Sequence, residues 1–156
     1  MAINPNTDFS SGAVLTAAQQ NRFPRGVMAF NSATATDASI TVEEIQITSS
    51  SFTAVANRYY RITYYEPQLA TPATSGVFMV GRIKLTNLSG TQYTSSIVQN
   101  QAANVTNYTL TTSAVTTFSA GSVVIVASLT TSSGTGSATR SATAPAYLLV
   151  EDIGPA

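Results

Sequence analysis

Acid–base chemistry in this sequence would have to come from its seven carboxylates, because the chain has neither histidine nor cysteine. Two pairs of acids are adjacent, Glu43–Glu44 and Glu151–Asp152. Neighbouring side chains of a strand point to opposite faces, so the members of one pair cannot flank a substrate. Glycoside hydrolysis stays open only if one pair faces the other across a groove, at the separation of about 5–9 Å that this chemistry uses. Otherwise we expect these acids to be solvated at strand ends and turns.

The missing residue types exclude whole classes of site. Without histidine there is no Ser-His-Asp or Cys-His catalysis and no histidine-ligated metal. Without cysteine there is no disulfide framework and no cysteine-ligated zinc. The sequence also holds no glycine-rich phosphate loop and no Gly-x-Ser-x-Gly motif. We therefore predict that the chain is not an enzyme and that it binds no metal and no cofactor.

The charge composition argues against two kinds of partner. Only 9% of the residues are charged, and seven basic residues balance seven acidic ones. Nucleic acids and anionic membranes are bound by neutralising their negative charge, so we predict neither as a partner. Hydroxyls supply the polarity instead, with 24 Thr and 19 Ser among the 156 residues. We expect association through apolar contacts and hydrogen bonds.

The tyrosines offer a second kind of candidate site. Tyr59, Tyr65 and Tyr93 are candidate contacts for a carbohydrate, because aromatic rings with nearby arginines form stacking platforms. The competing interpretation is that half of the aromatic side chains of a strand pack inward and the others cover strand edges.

The pattern of the chain predicts an all-β protein. Threonine and the β-branched residues favour strands, and apolar side chains alternate along many short segments. At 156 residues the chain has the length of a single domain. One helix is predicted near 16–22, where Thr16 and Gln19 fit a capping box and Pro24 ends the segment. With eight to ten strands and short connections, we predict an antiparallel two-sheet sandwich, most simply a jelly roll.

Several details of this pattern are open to test. The alternation slips at Glu43–Glu44, which predicts a β-bulge, and Pro67 is predicted to end a strand that begins at Arg58. Residues 123–129 are apolar on both faces, so a flanking element or another subunit should cover the second face. Residues 130–144 are predicted to form a long hairpin loop. Strands are predicted at 27–30, 40–47, 58–65, 77–85, 92–98, 105–112, 123–129 and 147–153.

The two ends of the chain resemble a known family. The segments 9–21 (FSSGAVLTAAQQN) and 23–27 (FPRGV) resemble the opening of a broad family of tailed-bacteriophage virion proteins, in which a Leu-Thr-Ala-Ala-Gln helix precedes an asparagine and a proline. The segment 147–155 (YLLVEDIGP) is similar to the ending of the same family, and 118–121 (FSAG) fits its late strands. The middle, about 31–115, matches only as a β-rich variable region.

The resemblance implies a small jelly-roll-like domain, often trimeric, on a virion, as a head decoration (cement) protein, a head fibre or a minor tail protein. We expect residues 1–26 to form an arm and short helix that anchor to the major capsid protein or another virion protein, and residues 27–156 to form a single β-sandwich domain on the capsid exterior. The expected anchoring side chains are Phe9, Leu15, Arg22, Phe23 and Arg25. The expected contacts between subunits of the homotrimer are Val123, Ile125, Ala127 and Leu129.

One alternative keeps the fold and changes the role. In it the chain is a tail-associated receptor-binding module that presents Tyr59, Tyr65, Tyr93 and the 130–144 segment to host glycans.

Overall fold

The computed structural model describes residues 11–100 and 107–156, which form one short helix and twelve strands. The helix, α1, spans Ala17–Gln20. The strands are β1 Gly26–Ala33, β2 Asp37–Ile40, β3 Glu44–Thr48, β4 Phe52–Ala54, β5 Arg58–Ala70, β6 Phe78–Leu85, β7 Gln92–Gln99, β8 Tyr108–Thr117, β9 Gly121–Val123, β10 Ile125–Thr131, β11 Gly136–Ala138 and β12 Ala146–Pro155. No helix in the described ranges is long and apolar enough to cross a membrane.

The long strand β5 organises the larger of the two main sheets. Tyr64 of β5 pairs with Leu148 of β12 on one edge and with Thr112 of β8 on the other. Further along β5, Leu69 pairs with Ala138 of β11 on the edge that β12 uses. Strands β1 and β2 pair in turn with the far edges of β12 and β11. The sheet therefore has four antiparallel rows, β1/β2, β12/β11, β5 and β8.

The smaller main sheet has the order β3-β10-β6-β7, and β4 and β9 form a separate two-stranded pair. If β1/β2 and β11/β12 are each counted as one strand and β4 and β9 are left out, the two main sheets contain eight strands, which can be numbered 1 to 8 in chain order. The larger sheet then has the order 1-8-3-6 and the smaller sheet the order 2-7-4-5. This is the interleaved strand order of a jelly roll. The predicted fold class, an antiparallel two-sheet sandwich with a jelly-roll-like course, is confirmed.

The hydrophobic core lies between the two main sheets. Along β5, Tyr60, Ile62 and Tyr64 are fully buried, so the side chains between them point away from the core. Met79 and Ile83 of β6 meet them from the smaller sheet within one continuous cluster.

A side-chain hydrogen bond connects the two main sheets along one open side of the sandwich. The edge strands β1 and β3 belong to different sheets, and the Asn31 amide of β1 donates a hydrogen bond of 2.8 Å to the Thr48 carbonyl of β3. The contact ties the two sheets together where neither strand has a further neighbour in its own sheet.

Most predicted strands are found, with shifted ends. The segments predicted at 27–30, 58–65, 77–85, 92–98 and 147–153 correspond to β1, β5, β6, β7 and β12. The strand predicted at 105–112 is found as β8, which runs on to Thr117, and residues 105 and 106 lie outside the described ranges.

Pro67 does not end its strand, which corrects the prediction. Glu66 pairs with Leu110 of β8, and the next pairing joins Leu69 to Tyr108, so the register shifts across Pro67. Proline has no N–H to donate to a neighbouring strand and is tolerated at such an irregularity. Strand β5 therefore continues to Ala70.

The phase slip at Glu43–Glu44 is a crossing between the sheets rather than the predicted bulge. Strand β2 ends at Ile40 in the larger sheet, and β3 begins at Glu44 in the smaller sheet. Such a change of sheet turns the sandwich at a corner. The register irregularity of β3 lies two residues later, at Gln46.

The segment predicted as a long hairpin loop at 130–144 contains β11, which pairs with β2 and β5. The small residues of this segment allow β11 to pack closely against its neighbours. Gly136 lies so close to the Met79 side chain that a Cβ on this residue would come within 2.8 Å of the sulfur. A close approach of this kind is a reason for glycine inside a strand.

The predicted subunit interface is wrong. Its four side chains are buried in the chain's own core cluster: Val123, Ile125, Ala127 and Leu129. Strand β10 is an inner strand of the smaller sheet, and its other face, with Val126 and Ser128, is also fully buried. Ser128 donates a hydrogen bond of 2.7 Å to Glu43, which also pairs with Lys84 at 2.7 Å. The second face is therefore covered by side chains of the same chain.

The assignment of Leu129 to the core predicts a large loss of stability on truncation. Leu129→Ala removes buried methyl groups and leaves a cavity, which should lower the free energy of unfolding by about 2–5 kcal/mol. The change should leave the oligomeric state of the folded fraction unaltered. Denaturant unfolding and light scattering measure the two quantities. The control Ile97→Ala, at a side chain that is 61% exposed, should cost less than about 0.5 kcal/mol.

Candidate functional site

The outer face of the larger sheet carries a row of stacked aromatic rings. Tyr147 of β12 lies between Phe30 of β1 and Tyr65 of β5, with ring centroids 6.2 Å and 5.1 Å apart. The rings are inclined by 29° and 23°, so they stand side by side on the sheet. Neighbouring rings therefore stack, and together they form an aromatic row on this face of the sheet.

A second row on this face places an ion pair between apolar side chains. Glu151 pairs across the strands with Val27 on one side and Arg61 on the other, and Arg61 pairs with Val115 of β8. The guanidinium and carboxylate are 2.9 Å apart. Val27 and Val115 are 62% and 58% exposed, and Phe30 of the aromatic row is 55% exposed. We call these two rows the outer patch.

The outer patch was not found from the sequence as a unit. The sequence predicts Tyr65 as a ligand contact, but it does not indicate that Phe30 and Tyr147 lie beside it. The signal that could have found them is the register, because Tyr147 pairs with Tyr65 and Leu149 with Phe30. Alternation alone gives the face of each strand and leaves the neighbours across strands undetermined.

The N-terminal segment adds further exposed apolar side chains beside this sheet. Thr16 and Gln19 form the predicted capping box, and the helix is shorter than predicted, Ala17–Gln20 in place of 16–22. Leu15 and Phe23 are 42% and 40% exposed. Of the two arginines predicted with them to bind the shell, Arg25 is exposed and Arg22 is half-buried, and Phe9 lies outside the described residues.

A buried arginine connects this segment to the end of the larger sheet. The Arg58 guanidinium donates hydrogen bonds of 2.6 Å to the carbonyls of Asn21 and Phe23. It also donates to the Asp152 carboxylate through two nitrogens. The segment therefore lies against the start of β5 and the end of β12, next to the first residue of β1.

The three tyrosines proposed for glycan contact lie at two separate places. Tyr65 belongs to the outer patch, about 20 Å along β5 from Tyr59 at the usual rise per residue. Tyr59 lines an open depression of about 460 Å³ together with Phe118. Tyr93 lines a second depression of about 370 Å³ on the other side of Phe118, with the two rings edge to face at 5.8 Å.

The two acid pairs do not face each other across a groove. Glu43 lies on the outer face of the smaller sheet against Lys84 and Ser128. Glu151 lies on the opposite side of the molecule, on the outer face of the larger sheet, and Asp152 is buried against Arg58. Neither of the two depressions is lined by an aspartate or a glutamate. The glycosidase hypothesis required the two acid pairs to face each other across a groove, and it is therefore wrong.

Electrostatics explain why Glu43 is ionised beside buried groups. Burial opposes its ionisation, but hydrogen bonds to Lys84 and Ser128 and the charge of Arg82 outweigh this and hold the pKa of Glu43 below its usual value. Within the described ranges no three acidic, histidine or cysteine side chains come together as a metal site.

A buried ionic cluster lies at the other end of β5. Glu66 accepts hydrogen bonds of 2.9 Å and 2.5 Å from Arg140 and one of 2.5 Å from the Tyr64 hydroxyl. Arg140 also donates to Gln46 at 2.6 Å. Burial and the adjacent Glu66 charge raise the pKa of Tyr64 well above its usual value. The cluster joins β3, β5 and the segment after β11, and its groups are enclosed, which indicates a structural role.

Sequence comparison gives no family for this chain: no family model matches it, and no curated protein matches it. Solved structures of low identity do match. The infectious bursal disease virus VP2 subviral particle is 14% identical with a TM-score of 0.46, over 84% of this chain and 39% of that chain. The protein of T=1 particles derived from the same virus is 12% identical with a TM-score of 0.46, over 83% of this chain and 36% of that chain. The chain thus spans less than two fifths of these proteins, and at such identities and TM-scores the likeness gives no information on function.

The buried cluster predicts an asymmetric response to charge removal. Glu66→Gln leaves the Arg140 guanidinium buried without its counter-charge, which should lower the free energy of unfolding by about 3–5 kcal/mol. The matched control Glu151→Gln breaks the exposed pair with Arg61 and should cost about 0–1 kcal/mol. Urea unfolding at neutral pH measures both values. Equal losses would contradict the buried role of Glu66.

A second prediction concerns Glu44, whose pKa is raised by burial and by the neighbouring Asp37. A carboxyl with a raised pKa destabilises the folded state once it is ionised, and this cost disappears as the pH falls to its ordinary value near 4.5. Glu44→Gln should therefore raise the melting temperature at pH 7 but not at pH 3.5. Thermal unfolding between these pH values checks this, and a constant difference would contradict it.

Proposed function

We propose that this chain is a non-enzymatic structural protein of a virion. In this proposal it is a head decoration protein that binds the outer capsid surface as a homotrimer and stabilises the shell by bridging neighbouring capsid subunits. The observation that carries the proposal is the outer patch together with the exposed apolar side chains of the N-terminal segment. The resemblance of both chain ends to phage virion proteins supports the same assignment.

The outer patch has the character of a protein-binding surface. Exposed large apolar side chains scattered singly are ordinary, whereas contiguous ones mark interaction sites. Here Val27, Phe30 and Val115 share one sheet face with a stacked pair of tyrosines. Burying a side chain of this size contributes about 1.5–3 kcal/mol relative to leaving it exposed. Several such contacts on one face suffice for a stable attachment.

The N-terminal segment extends this surface. Leu15 and Phe23 are half-exposed, and Arg22 and Arg25 flank Phe23 in the chain. Guanidinium groups beside aromatic rings suit an acidic protein surface, because they pair with carboxylates in a fixed geometry. In this proposal the segment contacts the major capsid protein. A ligand that binds only the assembled shell stabilises the shell by mass action.

A different observation favours the alternative of a tail-associated receptor-binding module. Tyr59 and Tyr93 line two open depressions on either side of Phe118 at one end of the sandwich. Half-exposed aromatic rings around a concave surface suit the apolar faces of sugars. A glycan array with the full chain tests this alternative, with Tyr59→Ala and Tyr93→Ala as the variants expected to lose binding.

The decoration function predicts which surface variant loses attachment to capsids. The variant V27S/F30S should bind capsids purified without this protein at least tenfold more weakly, because it removes two apolar contacts of the outer patch. Ile97→Ser changes an equally exposed side chain on the opposite sheet and should bind normally. Cosedimentation gives the affinities, and native mass spectrometry gives the oligomeric state. Equal binding of all three forms, or a monomer at every concentration, would contradict the proposal.

A further inference from the structure

Arg58 is a buried arginine that serves two partners at once. Its side chain is 5% exposed, and that of its counter-ion Asp152 is fully buried. The Nε and one Nη donate to the carboxylate, while both Nη atoms donate to main-chain carbonyls, those of Asn21 and Phe23. The guanidinium thus spans the sandwich on one side and the N-terminal segment on the other.

Asp152 is held in place independently of that segment. It accepts a hydrogen bond of 3.0 Å from the Gly154 amide, where β12 departs from regular pairing with β5. The Arg22 carbonyl passes over Gly154, at 3.9 Å from where a Cβ would stand. The sandwich therefore presents a preformed carboxylate that orients Arg58 toward the segment.

The segment is a type of structure that cannot persist alone. Helix α1 has four residues and buries no side chain. A helix of this length in isolation is unstable, because nucleation costs more than its few hydrogen bonds return. The carbonyls that Arg58 engages belong to the C-terminal end of the helix and the turn after it, where orphan carbonyls favour a cation.

We propose that Arg58, oriented by Asp152, is the positioning residue of the N-terminal segment. It acts as a carbonyl clamp, and loss of the clamp releases residues 16–23 as a unit while the sandwich stays folded. This inference rests on the proposed function in one respect only. If the segment binds the capsid, Leu15 and Phe23 are the side chains that the clamp positions for that contact. The clamp recognises main-chain atoms, so it sets the course of the segment and leaves the Leu15 and Phe23 side chains exposed.

The connection between the segment and β1 permits such a release. Only Pro24 and Arg25 separate Phe23 from Gly26, and Gly26 has a φ of +77°, a conformation that glycine adopts readily. Gly26 is the first residue of β1 and pairs with Asp152, so rotation at this glycine moves the segment while the pairing of β1 from Val27 onward stays in place. The opening therefore requires a change only at the first residue of the strand.

The test is hydrogen exchange by mass spectrometry on full-length Arg58→Lys. Lysine keeps a positive charge beside Asp152 but lacks the planar fork that reaches two carbonyls. The amides of Gln20, Asn21 and Phe23, bonded within the segment in the native chain, should exchange at least tenfold faster. Those of β10 should change less than twofold. Arg61→Lys, at the exposed pair on the same strands, is the matched control and should leave both regions unchanged.

Two further measurements keep the proposal decidable if Arg58→Lys folds poorly. The variant R58M/D152N removes both buried charges together and should show the same selective loss of protection. In the native chain, exchange at residues 20–23 should be insensitive to low urea, as for local opening, whereas exchange in β10 should accelerate. Equal loss in both regions, unchanged protection in the variants, or urea-dependent exchange of the native segment would each overturn the clamp.

The outcome also separates the clamp from the proposed function. If Arg58→Lys frees the segment and capsid cosedimentation is unchanged, the clamp stands and the segment is not the anchor. If the segment stays protected, the clamp fails whatever the capsid binding shows. Trypsin gives an independent readout, because Arg22 and Arg25 flank the clamped Phe23 carbonyl. Release should accelerate cleavage there at least tenfold without cleavage inside the sandwich.

Discussion

Two buried arginine–carboxylate pairs constrain how the connections of this sandwich are arranged. Arg58 faces Asp152 and Arg140 faces Glu66, and all four side chains are 5% exposed or less. A buried charge must be paired and its remaining hydrogen-bond donors satisfied, or it costs several kcal/mol. Each guanidinium therefore also binds groups from other segments of the chain. Arg58 takes two carbonyls of the N-terminal segment, and Arg140 takes the Gln46 side chain.

The sequence predicted the general architecture because its signals are local. Alternating apolar residues in Thr-rich segments gave most strands, and the Thr16–Gln19 spacing gave the helix start. The failures arose where an outcome depends on contacts between distant segments. Pro67 fits inside β5 because β8 shifts its register there. The slip at Glu43–Glu44 turns out to be a change of sheet, which periodicity cannot distinguish from a bulge.

The candidate site was harder to predict for the same reason. Apolar residues on both faces of 123–129 indicated coverage, and coverage by a neighbour or by the chain's own Lys84 and Glu43 gives the same pattern. Long charged side chains cover apolar surface with their aliphatic stems while their charges stay paired. Conversely, the outer patch needs the pairing of Phe30, Tyr147 and Tyr65, which only strand register supplies. The division into an anchor, 1–26, and a sandwich domain, 27–156, remains a prediction.

The Asn31–Thr48 contact has a consequence for behaviour at high local concentration. An unpaired strand edge is a template on which further copies add strands and grow into fibres. Here a carbonyl of one edge strand is already engaged by an amide from the other, so an incoming chain would have to displace it. If the chain has the proposed decoration role, in which many copies lie side by side, this contact opposes the fusion of neighbouring sheet edges.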